Sequence, residues 1–194
     1  VPDRRFLVLH GWQNHRPRGH WQWQLTEALR ASGEQVLYPQ LPDPDRPSLA
    51  AWTALVRAEL AQLGEGERVV VAHSLAAPTW AHVATLLAPA ERVDRVLLVA
   101  PPRPDVLAGF PEVAEWSRVP LDAAALKEAA GVTRLAIADD DPYSRGGPSP
   151  EWAALGLDLD LLPGAGHLDL TAGYGRWPAA EAWCRDPAVR LTPR

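Results

Sequence analysis

The chain has little of several things whose presence would set its class. Its 194 residues hold one cysteine, Cys184, so no intrachain disulfide framework can form, and a lone thiol late in an amphipathic stretch reads as a packing residue. No apolar run approaches the roughly 18 residues of a membrane span, and no charged n-region leads into a short apolar h-region. Neither a membrane partner nor a retained signal peptide is expected, and a cytoplasmic location is the default. Basic residues never cluster beyond short pairs and the net charge is −5, which argues against the concentrated positive stripe that nucleic acid requires. Lysine is nearly missing, Lys127 being the single one among 19 basic residues, and no chemistry is drawn from that bias.

What is present is enough for a core. With 47% hydrophobic content, a chain of this length can bury roughly 70% of its unfolded surface as one domain, taken here as residues 1–194. Nine tryptophans exceed ordinary usage and serve mainly as large core and rim fillers. Short apolar runs at residues 5–9, 36–38, 69–72, 96–99 and 135–138 alternate with segments of helical periodicity. Trp21, Leu25, Ala28 and Leu29 form one such segment, closed by Gly33. Leu49, Trp52, Leu55, Val56, Leu60 and Leu63 form another, capped by Ser48. Further helices are expected from Leu75 to Ala88, from Asp122 to Gly131 and over Pro178 to Cys184. That alternation predicts an α/β fold, an open parallel sheet with helices on both faces. Leu157 to Leu161 alternates strictly with aspartate, so it is expected at or near the sheet edge with one wet face. No internal repeat is found, and the Pro-rich stretch from Pro101 to Pro120 reads as a loop over the sheet.

In such a sheet the reactive groups gather beyond the carboxyl ends of the strands. His10-Gly11-Trp12 follows the first strand, Ser74 the central one, Asp139-Asp140-Asp141 the fifth, and Gly164-Ala165-Gly166-His167 the last. Serine, acid and histidine in that chain order match the triad of α/β-hydrolases. The chemistry explains the three residue types. A hydroxyl needs a base to become a nucleophile, imidazole is the base suited to neutral pH, and a carboxylate fixes its tautomer and stabilises its cation. Ala72-His73-Ser74-Leu75-Ala76 has the form of a nucleophile elbow with alanine in place of both usual glycines. Gly11 lets the first loop pass close to substrate, and the backbone N–H groups of Trp12 and Leu75 are candidates for the oxyanion hole.

A family resemblance emerges from Leu9-His10-Gly11-Trp12 with His20-Trp21, the elbow at Ser74, and Asp140-Asp141-Pro142-Tyr143. It is strongest in Gly166-His167-Leu168-Asp169 continuing to Gly173-Tyr174-Gly175-Arg176-Trp177-Pro178. Together these resemble the small lidless α/β-hydrolase family of serine hydrolases related to retinoblastoma-binding protein nine and the bacterial YdeN-type proteins. The resemblance spans nearly the whole chain. It implies Ser74 as nucleophile, Asp141 as the acid and His167 as the base, in an esterase-like serine hydrolase without cofactor. Family members generally keep glycine where Ala76 stands, and often asparagine where Asp169 stands.

Blander readings stand beside these. His73 points to the opposite strand face from Ser74 and reads as packing. His10, His15 and His20 recur every five residues, a spacing that puts no two on one helical face, so no metal site is expected. The interval from Pro101 to Val132 is too short for a lid domain, which predicts an open, shallow site for a small ester, with Trp12, Phe110 and Trp116 as apolar walls. The competing reading is a hydrolase-shaped protein of little turnover that binds a small molecule or a partner in its cleft. Oligomeric state is left open.

Overall fold

Val69, Val70, Val71 and Ala72 are fully buried because their strand is covered on both faces, so the apolar run is unbroken. In the computed structural model, which describes residues 3–194, that strand is β3 (Glu67–His73), third in a six-stranded sheet. The others are β1 (Arg4–Leu9), β2 (Gln35–Leu37), β4 (Val93–Val99), β5 (Ala130–Ala138) and β6 (Asp158–Leu162). Their order is β2-β1-β3-β4-β5-β6, and every pairing is parallel. The helices are α1 (Trp21–Ala31), α2 (Leu49–Gln62), α3 (Ala76–Ala84), α4 (Pro104–Leu107), α5 (Ala123–Ala129), α6 (Pro150–Ala153) and α7 (Pro178–Arg185).

Alternation along each strand divides the core in two. Leu7, Leu9, Val70 and Ala72 pack with Trp52 of α2, Trp80 of α3 and Leu126 of α5 on one face. Phe6, Val8, Val69 and Val71 pack with Leu25 of α1 and Trp183 of α7 on the other. Cys184 is buried in this second layer, and burial pushes its thiol up to about 12, so it packs rather than reacts. Ser48 caps α2, its hydroxyl accepting from the Ala51 N–H, and Asp122 caps α5 through the N–H groups of Ala124 and Ala125.

The expected strands and helices all form, with ends shifted by a few residues. The stretch from Pro101 to Pro120 is more ordered than a plain loop: it holds α4 and a 3-10 turn over Ala114–Arg118. β6 lies at the sheet edge, but at two of its positions burial runs against side-chain polarity. Leu161 is half-exposed while Asp160 is buried. The reason is electrostatic: Asp160 is held by Arg134 at 2.8 Å and Arg190 at 2.7 Å and accepts the Leu191 N–H, so its charge is paired out of water.

Register sets the site. Ala72 is level with Leu9, and His73 with Val99, so the loops after β1, β3 and β4 leave the sheet side by side. Ala138 is level with Leu162, which does the same for the loops after β5 and β6.

Candidate active site

The chain turns sharply out of β3. Ser74 has φ of 55°, a left-handed value uncommon outside glycine, and the turn is held by the Ser74 N–H donating to the Val99 carbonyl at 2.8 Å and by Ala77 N–H donating back to the Ser74 carbonyl at 2.9 Å. Ala72 and Ala76, two residues either side, are both fully buried, so the turn tolerates a methyl at each position but little more. Gly11 is where no methyl fits: a Cβ there would stand 2.7 Å from the Ser74 Cβ and 3.2 Å from the His73 carbonyl oxygen. The first loop thus passes against Ser74 itself.

Three side chains from distant loops meet there. His167 Nε2 lies 2.9 Å from Ser74 Oγ, and His167 Nδ1 lies 2.9 and 3.0 Å from the two carboxylate oxygens of Asp141. Asp141 is fully buried and also accepts the Tyr143 N–H at 2.8 Å. An ionised carboxylate only accepts, so the proton sits on Nδ1 and Nε2 is free to accept from the serine hydroxyl. The neighbouring acids have other work. Asp139 accepts the Gly164 N–H at 2.8 Å and Asp140 the Gly166 N–H at 2.7 Å, so both pin the loop that carries His167.

His73 is buried, as its reading as a packing residue requires, but it also donates from Nε2 to the His167 carbonyl at 3.0 Å. Tyr143 places its ring 4.6 Å from the His167 ring. Sequence reasoning missed both supports, because each depends on which loop atom a side chain faces. The position of Tyr143 two residues after Asp141 was the one available sign. The other three spaced histidines do separate jobs: His10 donates from Nδ1 to the Gly11 carbonyl and accepts the Leu41 N–H at Nε2, His15 meets Asp45, and His20 caps α1.

Ser74 opens into a cavity of about 430 Å³ whose walls include Trp12, Leu107, Phe110, Tyr143 and Leu170. Trp12 and Phe110 meet edge to face at 5.3 Å, and Leu75 and Gly11 also line the space. Trp116 does not. Its expected place as a wall is corrected: it is buried beside Trp52 at 5.5 Å, and its indole N–H donates to Thr79 Oγ1 at 2.8 Å. The 3-10 turn folds it down onto α3, where the ring gains both burial and a partner for its one donor.

Burial depresses three histidines near this site, His10 and His20 to about 4 and His73 well below its ordinary range. They are neutral in the fold, whereas in the unfolded chain each protonates near pH 6.5. The stability associated with keeping them neutral is therefore complete above pH 6.5 and is lost as pH falls toward 4, at roughly 1.4 kcal/mol per pH unit for each. The urea midpoint is expected to drop by an amount worth a few kcal/mol between pH 7.5 and pH 5. An unchanged midpoint over that range would contradict the neutral, buried state of these rings.

An open parallel sheet with a serine on a strained strand-to-helix turn, a histidine in the last strand's loop and helices on both faces defines an α/β-hydrolase. A family model described as serine hydrolase matches residues 6–185, and the chain belongs to that family. Among solved structures it is similar to the ydeN gene product from B. subtilis, with 21% identity over 92% of this chain and 95% of that one and a TM-score of 0.78. It is also similar to a putative YdeN-like hydrolase from Pectobacterium atrosepticum, at 21% identity, 94% and 90% coverage and a TM-score of 0.71. A third is the esterase domain of a Rhodothermus marinus protein, at 18% identity, 95% and 87% coverage and a TM-score of 0.66. No curated protein sequence matches the chain. The protein is a serine hydrolase. No helix among the described residues is long and apolar enough to cross a membrane.

Proposed function

We propose that this serine hydrolase cleaves small carboxylic esters through an acyl-enzyme on Ser74. The observation that carries the reading is the unbroken hydrogen-bonded line from Ser74 Oγ through His167 to Asp141, with the serine end opening into the cavity. Ser74 Oγ attacks the carbonyl carbon as His167 Nε2 takes its proton, and the buried Asp141 carboxylate stabilises the resulting imidazolium. The tetrahedral oxyanion lies toward the backbone N–H groups of Trp12 and Leu75, neither of which meets another acceptor among the described residues. Collapse breaks the bond to the alcohol, which leaves with the proton from His167. Water then attacks the acyl-enzyme by the same steps, giving carboxylic acid and free Ser74. The resemblance to an esterase domain points the same way. The alanines of the elbow leave the turn intact, so they give no reason to prefer a non-catalytic binding role.

Substrate size follows from the roof. The segment between β4 and β5 places Phe110 and Leu107 over one side of the cavity and contains only α4, a 3-10 turn and α5. It forms a wall and no separate lid. A cavity of about 430 Å³ suits a small ester and leaves a long acyl chain in water. For acetyl, butyryl and palmitoyl esters of p-nitrophenol, kcat/KM is expected to be highest for one of the two short chains, with no jump in rate above the substrate's solubility limit. A clear palmitoyl preference would overturn this size assignment. A fluorophosphonate is expected to label the chain at Ser74, read by peptide mass spectrometry, and labelling elsewhere would overturn the nucleophile.

A further inference from the structure

The walls of the cavity carry one fixed charge. Asp169 lines the space two residues beyond His167, and among the described lining residues there is no arginine or lysine and no second carboxylate. Its Oδ1 accepts the Ala172 N–H at 2.9 Å, which holds the side chain in place without neutralising it. The charged partners of the histidines lining the space are other carboxylates, Asp45 for His15 and Asp141 for His167. His20 is kept neutral at pH 7 by burial, His73 likewise, and His15 faces Asp45 at 3.1 Å. His167 is committed to Ser74 and Asp141. Burial first, and the Asp169 charge second, raise the Tyr143 phenol above its ordinary value, so the field of this carboxylate reaches the ring that stands against His167.

The reaction fixes which half of the substrate meets that field. The acyl oxygen must face the Trp12 and Leu75 N–H groups, whereas the leaving oxygen must lie within reach of His167 Nε2 to take its proton. The alcohol half therefore passes the His167 loop, on a stretch of wall that Asp169 and Tyr143 line. A carboxylate and an aromatic ring lining one cavity, with Phe110 6.4 Å from Tyr143 and Trp12 5.3 Å from Phe110, are the combination that attracts an ammonium group, by charge and by the ring quadrupole. We propose that the site selects esters whose alcohol half is positively charged, an amino alcohol or a quaternary ammonium alcohol, through Asp169 and the Tyr143 ring, and disfavours anionic alcohols. The selection rests on the acyl-transfer reading above and adds no step to it: the bond between acyl carbon and alcohol oxygen breaks, and the cationic alcohol leaves with the proton from His167.

A charge-isostere pair tests it. Acetylcholine and 3,3-dimethylbutyl acetate have nearly the same shape, with nitrogen replaced by carbon. Dividing each kcat/KM by the ester's rate of alkaline hydrolysis removes the difference in intrinsic reactivity. The corrected ratio is expected to favour acetylcholine about tenfold, the scale a partly screened charge pair supports. It should fall toward one in Asp169→Asn, whose side-chain oxygen can still accept the Ala172 N–H. In the parent enzyme the ratio should also shrink as salt is raised from about 10 mM to about 1 M, a measurement that needs no variant. A corrected ratio of one or less, or a ratio indifferent to both salt and Asp169→Asn, overturns the proposal while leaving esterase chemistry standing if Ser74→Ala abolishes hydrolysis of both esters. Equal hydrolysis of both by Ser74→Ala and the parent removes the acyl-transfer reading and this inference with it.

Discussion

Ser74→Ala is expected to lower kcat on p-nitrophenyl acetate by about 10⁴- to 10⁶-fold while leaving the fold in place. The loss is large because, in the mechanism proposed, Ser74 Oγ forms the acyl bond and the remaining members act only through it. His167 Nε2 would then face the cavity with no hydroxyl to deprotonate. What survives in that mechanism comes from binding and from the N–H groups of Trp12 and Leu75 proposed to hold the oxyanion, which still favour a tetrahedral species formed by direct attack of water. The backbone has little reason to move. Alanine is no worse than serine at a φ of 55°, and the two bonds that hold the turn, to the Val99 carbonyl and from the Ala77 N–H, are main-chain bonds that the substitution leaves alone. The lost Oγ contact with His167 costs on the order of 1 kcal/mol, a shift of a few degrees in Tm. Circular dichroism melts beside the kinetics separate the two effects. A variant that hydrolyses the ester as fast as the parent would remove Ser74 from the mechanism.

The architecture was legible because a parallel sheet makes local sequence speak about global position. Val69 to Ala72 could be read as a central strand from their unbroken apolar character alone, and the rule that function gathers at strand ends then brought Ser74, the three aspartates and His167 to one place. Choosing among the aspartates was different. Asp139, Asp140 and Asp141 are the same residue at consecutive positions, and what distinguishes them is whether the carboxylate meets a glycine N–H of the last loop or the imidazole. Nothing in composition or spacing carries that, so family resemblance had to point to Asp141. Trp116 failed for a related reason: an indole in a short segment can turn outward to a cleft or inward to α3, and the inward direction is set by packing against Trp52 together with the Thr79 hydroxyl as partner for its N–H. Asp160 shows the same limit, since its burial on an edge strand depends on Arg134 and Arg190, both remote in sequence. The pattern is general here. Periodicity reports which elements form, and pairing between distant polar groups decides the rest.

Asp141→Asn is expected to lower kcat by about 10⁴-fold, against less than about fivefold for Asp139→Asn or Asp140→Asn. The substitution at 141 conserves size and changes only charge and the placement of protons. Asp141 Oδ1 accepts the Tyr143 N–H at 2.8 Å, and in the variant the amide oxygen is the atom suited to keep that bond. The amide NH₂ then takes the place of Oδ2, 2.9 Å from His167 Nδ1, and turns a donor toward a nitrogen that was itself donating. The amide oxygen, 3.0 Å from the same nitrogen, is already engaged by the Tyr143 N–H, and two donors cannot share the shorter contact. His167 resolves the clash by moving its proton to Nε2, where it points at Ser74 Oγ, and an imidazole in that tautomer cannot take the serine proton. Loss of the carboxylate charge also removes what stabilises the imidazolium once it forms. At 139 and 140 the demand is different, because each carboxylate accepts from a glycine N–H and an amide oxygen accepts as well, so the His167 loop stays pinned. Nitrogen-15 spectra of the histidine side chains give a readout that a merely structural role would not move: the His167 proton should shift from Nδ1 to Nε2 in Asp141→Asn and stay on Nδ1 in the other two. If Asp140→Asn or Asp139→Asn loses as much activity as Asp141→Asn, or if the tautomer does not change, the assignment of Asp141 as the acid fails.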